Sequence, residues 1–227
     1  MGVVPWVNNT AGDFDPQPSS TAITEQATLF EPKWTRSILS TALGVQAPIG
    51  RIDLAAVVQE AARARPLRYL PRLPGNTISP SVQILMDVGD PMIPFLGDQQ
   101  ALIPAIERVV GFESTRVLKF TANPLRGAGT DEDDTWPPYT IPPSGTQVLR
   151  LTDFGIGQPP LGGPRATFTE WQSFANGLHR RKVSCTAFVP YPPERWPRGL
   201  SRLFRLVEWD RDTTTGRVKF SRKPTLR

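Results

Sequence analysis

The chain is poor in the residues that carry most enzyme chemistry. Its 227 residues include one cysteine, Cys185, and one histidine, His179. A single cysteine excludes an internal disulfide framework and fits a reducing cytosol, so a cytoplasmic location is expected. Cys185 lies in the strand-like run Val183–Val189 and reads as a buried, unreactive thiol. A single histidine leaves a Ser–His–Asp or Cys–His arrangement only one base. His179 sits beside Arg180 and Arg181 at a predicted helix end, where an imidazole usually serves the helix dipole. Long apolar runs are also missing, with no stretch of ~18 such residues, so no membrane span is expected. Met1-Gly-Val-Val-Pro-Trp6 lacks the basic start and apolar centre of a signal peptide.

Proline is abundant, at 25 residues, about twice the average share. With 39% apolar residues, this suits a compact core joined by long, stiffened connections. The formal charge is +5 and unevenly spread. From Arg195 to Arg227, ten Lys and Arg face only Glu208, Asp210 and Asp212. Such a segment is a candidate surface for nucleic acid or an acidic protein. No aromatic stacking motif accompanies it, and a solvated basic face is the plainer reading.

Residues 1–28 read as a flexible leader rich in Asn, Thr, Gly, Pro and Ser. Trp34, Ile38, Leu39, Ala42 and Leu43 share one face of a first helix. Asp53 caps a second, with Leu54, Val57, Val58, Ala61 and Ala62 as its stripe. The pair predicts an N-terminal helical hairpin within a prefix, residues 29–79, that closes with a proline-rich linker. Val82–Asp87 predicts a buried parallel strand, Leu96–Val110 a helix ended by Gly111, and Thr115–Phe120 a second strand: a βαβ unit. Residues 121–145 are irregular and hold the acidic run 131–134. Gln147–Asp153, a helix from Thr167 to Arg181, Lys182–Val189 and Leu203–Trp209 continue the alternation. Gly216–Phe220 is a candidate terminal strand inside a basic tail, 211–227. The fold class expected is α/β: a doubly wound, mostly parallel, Rossmann-like sheet spanning residues 80–210.

Two of these strands end in Asp followed by a Gly two residues on: Asp87 with Gly89, and Asp153 with Gly155. Adjacent parallel strands would bring the two carboxylates together at the edge where open α/β sheets bind ligands. Hard cations such as Mg²⁺ favour that oxygen-rich setting. Each Asp equally well caps its own loop by accepting backbone N–H bonds.

The pattern Asp87-x-Gly89-x-Pro91-Met92, then helix and strand, then Thr152-Asp153-Phe-Gly155 resembles the von Willebrand factor A (vWA) domain. The resemblance implies six strands in order 3-2-1-4-5-6, with an antiparallel edge strand best matched by Tyr139–Ile141. It also implies a metal-ion-dependent adhesion site. Asp87, Met92 and Asp153 match that site's Asp, Met and Asp. Thr130 is the candidate for its second-loop Thr, with Thr121 and Thr135 as alternatives, and Asp90 is a substitute oxygen. Gly89 and Pro91 stand where the site's two Ser belong, and neither carries a hydroxyl. The metal site, if Mg²⁺ is held at all, is therefore degenerate. The prefix, Pro71-Arg-Leu-Pro74 and Pro192-Pro-Glu-Arg-Trp196 are similar to the CoxE- and MoxR-associated vWA proteins of bacterial conflict (defence) systems. That likeness implies a non-enzymatic adaptor for AAA-type ATPase, protease or effector partners. Phe95, Trp136, Tyr139, Phe154, Tyr191 and Trp196 on the carboxyl-edge loops are the candidate anchors. The alternatives are a metal-dependent phosphatase or nuclease using Asp87, Asp90 and Asp153, and nucleic-acid binding through the basic end. Haloacid-dehalogenase phosphatases need an Asp two residues after the nucleophile, where this chain has Gly89.

Overall fold

A computed structural model describes residues 28–130, 135–159, 162–163 and 165–221. Most of the leader (1–27), the acidic run (131–134) and the end of the basic tail (222–227) lie outside the described residues. In chain order the elements are α1 (Pro32–Ala42), β1 (Gly44–Ala47), α2 (Leu54–Ala62), β2 (Gly75–Ile78), β3 (Ser81–Asp87), α3 (Leu96–Val110) and β4 (Thr115–Phe120). There follow β5 (Thr146–Leu151), α4 (Phe168–Arg180), β6 (Ser184–Val189), α5 (Leu200–Leu203), β7 (Arg205–Glu208) and α6 (Thr215–Phe220).

Five strands form one parallel sheet in the order β4-β3-β5-β6-β7. Counted from β3 this is 2-1-3-4-5, a doubly wound order whose direction reverses between β3 and β5. Helices cover both faces, which is why β3 and β5 are buried along nearly their whole length. One face packs Leu85, Val148, Ala187 and Leu206 under α4 and α5. The other packs Ile84, Leu149, Phe188 and Val207 under α1, α3 and α6. Thr167 starts α4 with a capping box closed by Glu170. Among the described residues no helix is long and apolar enough to cross a membrane.

Three expectations change. The sheet has five strands among the described residues, not six, because Tyr139–Ile141 is not a strand. Pro137, Pro138, Pro142 and Pro143 flank it and remove ladder donors. Tyr139 and Ile141 instead turn inward onto the α4 face. Among the described residues, antiparallel pairing at that edge is the single bridge Lys119–Gly129. Second, α1 and α2 form no hairpin. The chain enters β1 directly after α1, and β1 pairs antiparallel with β2, which lies in the stretch expected to be linker. Ile38, Leu39 and Ala42 of α1 belong to the main core. Third, residues 215–220 are helical, capped by the Thr214 hydroxyl, which accepts from the Arg217 N–H (3.4 Å). Val218 of this α6 is buried, and Thr215 bonds Ser37 of α1, so the tail is docked as far as Ser221.

Candidate functional site at the carboxyl edge of the sheet

Asp87 ends β3, and Asp153 lies two residues beyond β5, so the switch point brings the two carboxylates together. Both are buried, at 4% and 1% exposure. Oδ2 of Asp87 accepts from the Thr152 hydroxyl (2.6 Å) and Oδ1 from the Gly89 N–H (3.1 Å). Its backbone carbonyl accepts from Nε2 of the buried Gln99 (2.9 Å). The Thr152 oxygen in turn accepts from the Phe154 N–H (3.1 Å). Asp153 accepts from the Gly155 and Gly157 N–H groups, each at 2.7 Å, one to each oxygen. Both side chains therefore organise their own loops, and all four carboxylate oxygens hold a protein donor.

Gly157 is set by close approach. A Cβ there would lie 2.6 Å from the Tyr191 hydroxyl and 3.2 Å from Oδ2 of Asp153. Tyr191 stacks edge-on against Phe95 (5.8 Å between centroids), and the Arg195 guanidinium lies over its ring (4.3 Å). The Trp196 indole N–H donates to the Tyr191 carbonyl (2.8 Å). Phe95, Tyr191 and Trp196 are half-buried and form one connected rim beside the carboxylates.

Burial pushes the Asp87 carboxyl up to about 7; the neighbouring Asp153 adds to this, while the Thr152 and Gly89 bonds and the Arg150 charge oppose it. A carboxyl titrating near neutrality is what general acid–base chemistry uses. Here its two oxygens accept from Thr152 and Gly89.

The sequence matches no protein-family model and no curated protein.

Of the four candidate metal ligands, Asp87 and Asp153 share the switch point. Asp90 is exposed on a short 3₁₀ turn (Asp90–Phe95), and Thr130 is exposed beyond the Lys119–Gly129 bridge. Among the described residues, no group of three or more His, Cys, Asp and Glu side chains is placed to hold a metal ion. The donor set fits a hard cation poorly, because both carboxylates are already bonded within the protein.

The six candidate anchors divide. Phe95, Tyr191 and Trp196 make the rim. Trp136 is half-buried over Gly127 and Gly129, where a Cβ on Gly129 would lie 2.6 Å from its Cδ1. Tyr139 donates to Oε1 of Gln83 (2.6 Å) and packs on Phe174. Phe154 is buried with a left-handed backbone (φ 56°), its ring edge-on to Trp171 at 5.0 Å. Side chains held like Phe154 offer a partner no surface.

Arg150 lies in the middle of β5. It is fully buried, and none of its nitrogens makes a hydrogen bond. Its guanidinium sits among Phe204 (3.7 Å), Phe154 (4.8 Å), Trp171 (5.0 Å) and Phe174 (5.2 Å). The aromatic faces replace part of the hydration it loses. The Cys185 thiol approaches it without hydrogen-bond geometry, and burial pushes that thiol up, as suits an unreactive cysteine. A charged residue inside the apolar run Gln147-Val-Leu-Arg-Leu151 was the available signal. Thr152 and Gln99 had no comparable signal, since only the fold brings them to Asp87.

Two arginines of the basic end are engaged in structure, while Arg198, Arg202, Arg211 and Lys219 are exposed. Arg205 reaches Ser221 and the α6 carbonyl of Val218 on one side and the last carbonyls of α1 on the other. Arg217 pairs with Glu208 (3.2 Å).

Proposed function

We propose that the protein is a non-enzymatic interaction module that binds a protein partner through the loops at the carboxyl edge of its sheet, without a bridging metal ion. One observation carries this reading: every oxygen of Asp87 and Asp153 is occupied by a donor from its own or a neighbouring loop. Such carboxylates build a surface rather than a reactive centre. They hold the 89–92 and 154–157 turns in place and set Gly157 against Tyr191. The half-buried rim of Phe95, Tyr191 and Trp196, with Arg195 on top, has the aromatic-plus-arginine composition of binding hot spots. The parallel sheet and its switch-point aspartates support kinship with vWA domains whose adhesion site has lost its hydroxyls. On that kinship the partners would be ATPase or effector components of a bacterial conflict system.

The test is capture of partners from source-cell lysate by the full chain, with and without EDTA, and by the variants Trp196→Ala and Phe95→Ala. The expected result is capture that survives chelation and is lost in the rim variants, while circular dichroism shows them folded. Capture abolished by EDTA, or indifferent to both substitutions, contradicts the proposal.

A further inference from the structure

A second surface stands at the opposite end of the sheet. Strand β2 runs through Ser79 directly into the amino end of β3, so the β1–α2–β2 segment projects from that pole. Residues 71–73 run antiparallel to 50–53 and fix the start of α2, and Asp53 caps it through the Ala56 N–H (3.0 Å). Yet α2 buries none of its side chains. Leu54, Ala55, Val58, Ala61 and Ala62 are all exposed, Leu54 and Val58 at 71% and 65%. At helical spacing they fall within about 120° of the circumference and form a single apolar stripe facing solvent. Tyr69, on the same segment, is also 82% exposed.

The charge of this segment is predominantly positive, five arginines against Asp53 and Glu60. Arg51, Arg63, Arg65, Arg68 and Arg72 are exposed on the same segment. Its acids are already committed, Asp53 to the helix cap and Glu60 to Arg63 (3.4 Å). We infer that the α2 stripe with its arginine rim is a docking site for an acidic amphipathic helix of a protein partner. The small side chains favour this occupant over the others. Alanines at 55, 61 and 62 allow a second helix axis to approach closely. A helix lying in a membrane surface instead carries bulky apolar residues and basic residues on its own polar face, and α2 has no Lys or Arg. Nucleic acid would use the arginines and have no use for the stripe. A second copy would bring five arginines against five.

This site is separate from the carboxyl-edge rim, so either can fail without the other. The test uses the full chain and two fluorescent model helices that share a Leu/Ala stripe, one flanked by Glu and one by Lys. Binding of the Glu helix at least about tenfold tighter than the Lys helix is expected. Leu54→Glu with Val58→Glu should abolish it, and Arg65→Glu with Arg68→Glu should reverse the preference. Unchanged thermal unfolding of these variants shows the fold intact. No binding, equal binding of both helices, or binding that survives the stripe variant overturns the inference. So does a stripe-dependent association with phosphatidylserine vesicles, with duplex DNA or with itself in sedimentation, each of which assigns the surface to another occupant.

Discussion

At the carboxyl end of the sheet, two aspartates are buried and their oxygens are bonded within the protein; at the amino end, α2 holds its apolar stripe in solvent and buries no side chain. Both ends face outward, but they store stability differently. The carboxyl end consists of polar groups taken out of water, whose partners cannot be removed cheaply. The amino end consists of apolar groups left in water, whose replacement leaves the fold untouched. Substitution should therefore separate stability from binding at one end and couple them at the other.

The largest effect is expected at Asp87. The folded protein holds its proton up to about 7, while the unfolded chain releases it near 3.8. Across that window the native state binds the extra proton, so stability falls as pH rises and levels off above it. The expected slope is about 1.4 kcal/mol per pH unit. Asp87→Asn should flatten it, as urea unfolding at a series of pH values would show; an unchanged slope would place the titration elsewhere. Arg150→Met comes next. Where Asp87 is protonated, replacing the unbonded guanidinium with an apolar chain should be neutral or stabilising by about 1–3 kcal/mol. Above about pH 7 the gain should shrink, because the Arg150 charge is one of the groups that favour the Asp87 carboxylate. A pH-independent loss would mean that the aromatic cage requires the arginine.

Gly157→Ala should cost about 1–3 kcal/mol, because its Cβ would meet the Tyr191 hydroxyl and Oδ2 of Asp153, and making room shifts Tyr191 against Phe95. Thermal unfolding and partner capture should fall together. Glu170→Gln is a milder change. Arg126, bonded to both its oxygens, holds this carboxyl down to about 2. Its contribution is present above the ordinary 4.5 and is lost as pH falls toward about 2. A loss of about 0.5–1 kcal/mol at neutral pH, vanishing in acid, is expected. Smallest is the amino-end change: Leu54→Glu with Val58→Glu should alter stability by less than about 0.5 kcal/mol. A large loss would mean that α2 is packed in solution.

Much of the sheet was legible because its strands carry near-continuous apolar runs and its helices carry clear caps. Asp53 and Thr167 each start the helix their sequence predicts. The two Asp-ended strands also pointed correctly to the switch point. What escaped reading depended on distant contacts. Apolar spacing in α1 and α2 looks alike, yet one stripe is buried in the core and the other is exposed, a difference that periodicity cannot express. The short β1–β2 pairing has no alternating pattern of its own. The roles of Thr152 and Gln99 exist only because β3, β5 and α3 meet. Tyr139 and Phe154 lie in loops, where surface anchors are expected, but the loops fold their rings inward.

The most direct measurement is thermal unfolding of the full chain in about 10 mM Mg²⁺ against EDTA. A site of roughly 0.1 mM affinity would add about 2.7 kcal/mol at that concentration. Because the carboxylates at 87 and 153 are bonded within the protein, the two midpoints should coincide. A midpoint raised by Mg²⁺, with the rise lost in Asp87→Asn, would contradict a carboxyl edge closed by its own hydrogen bonds.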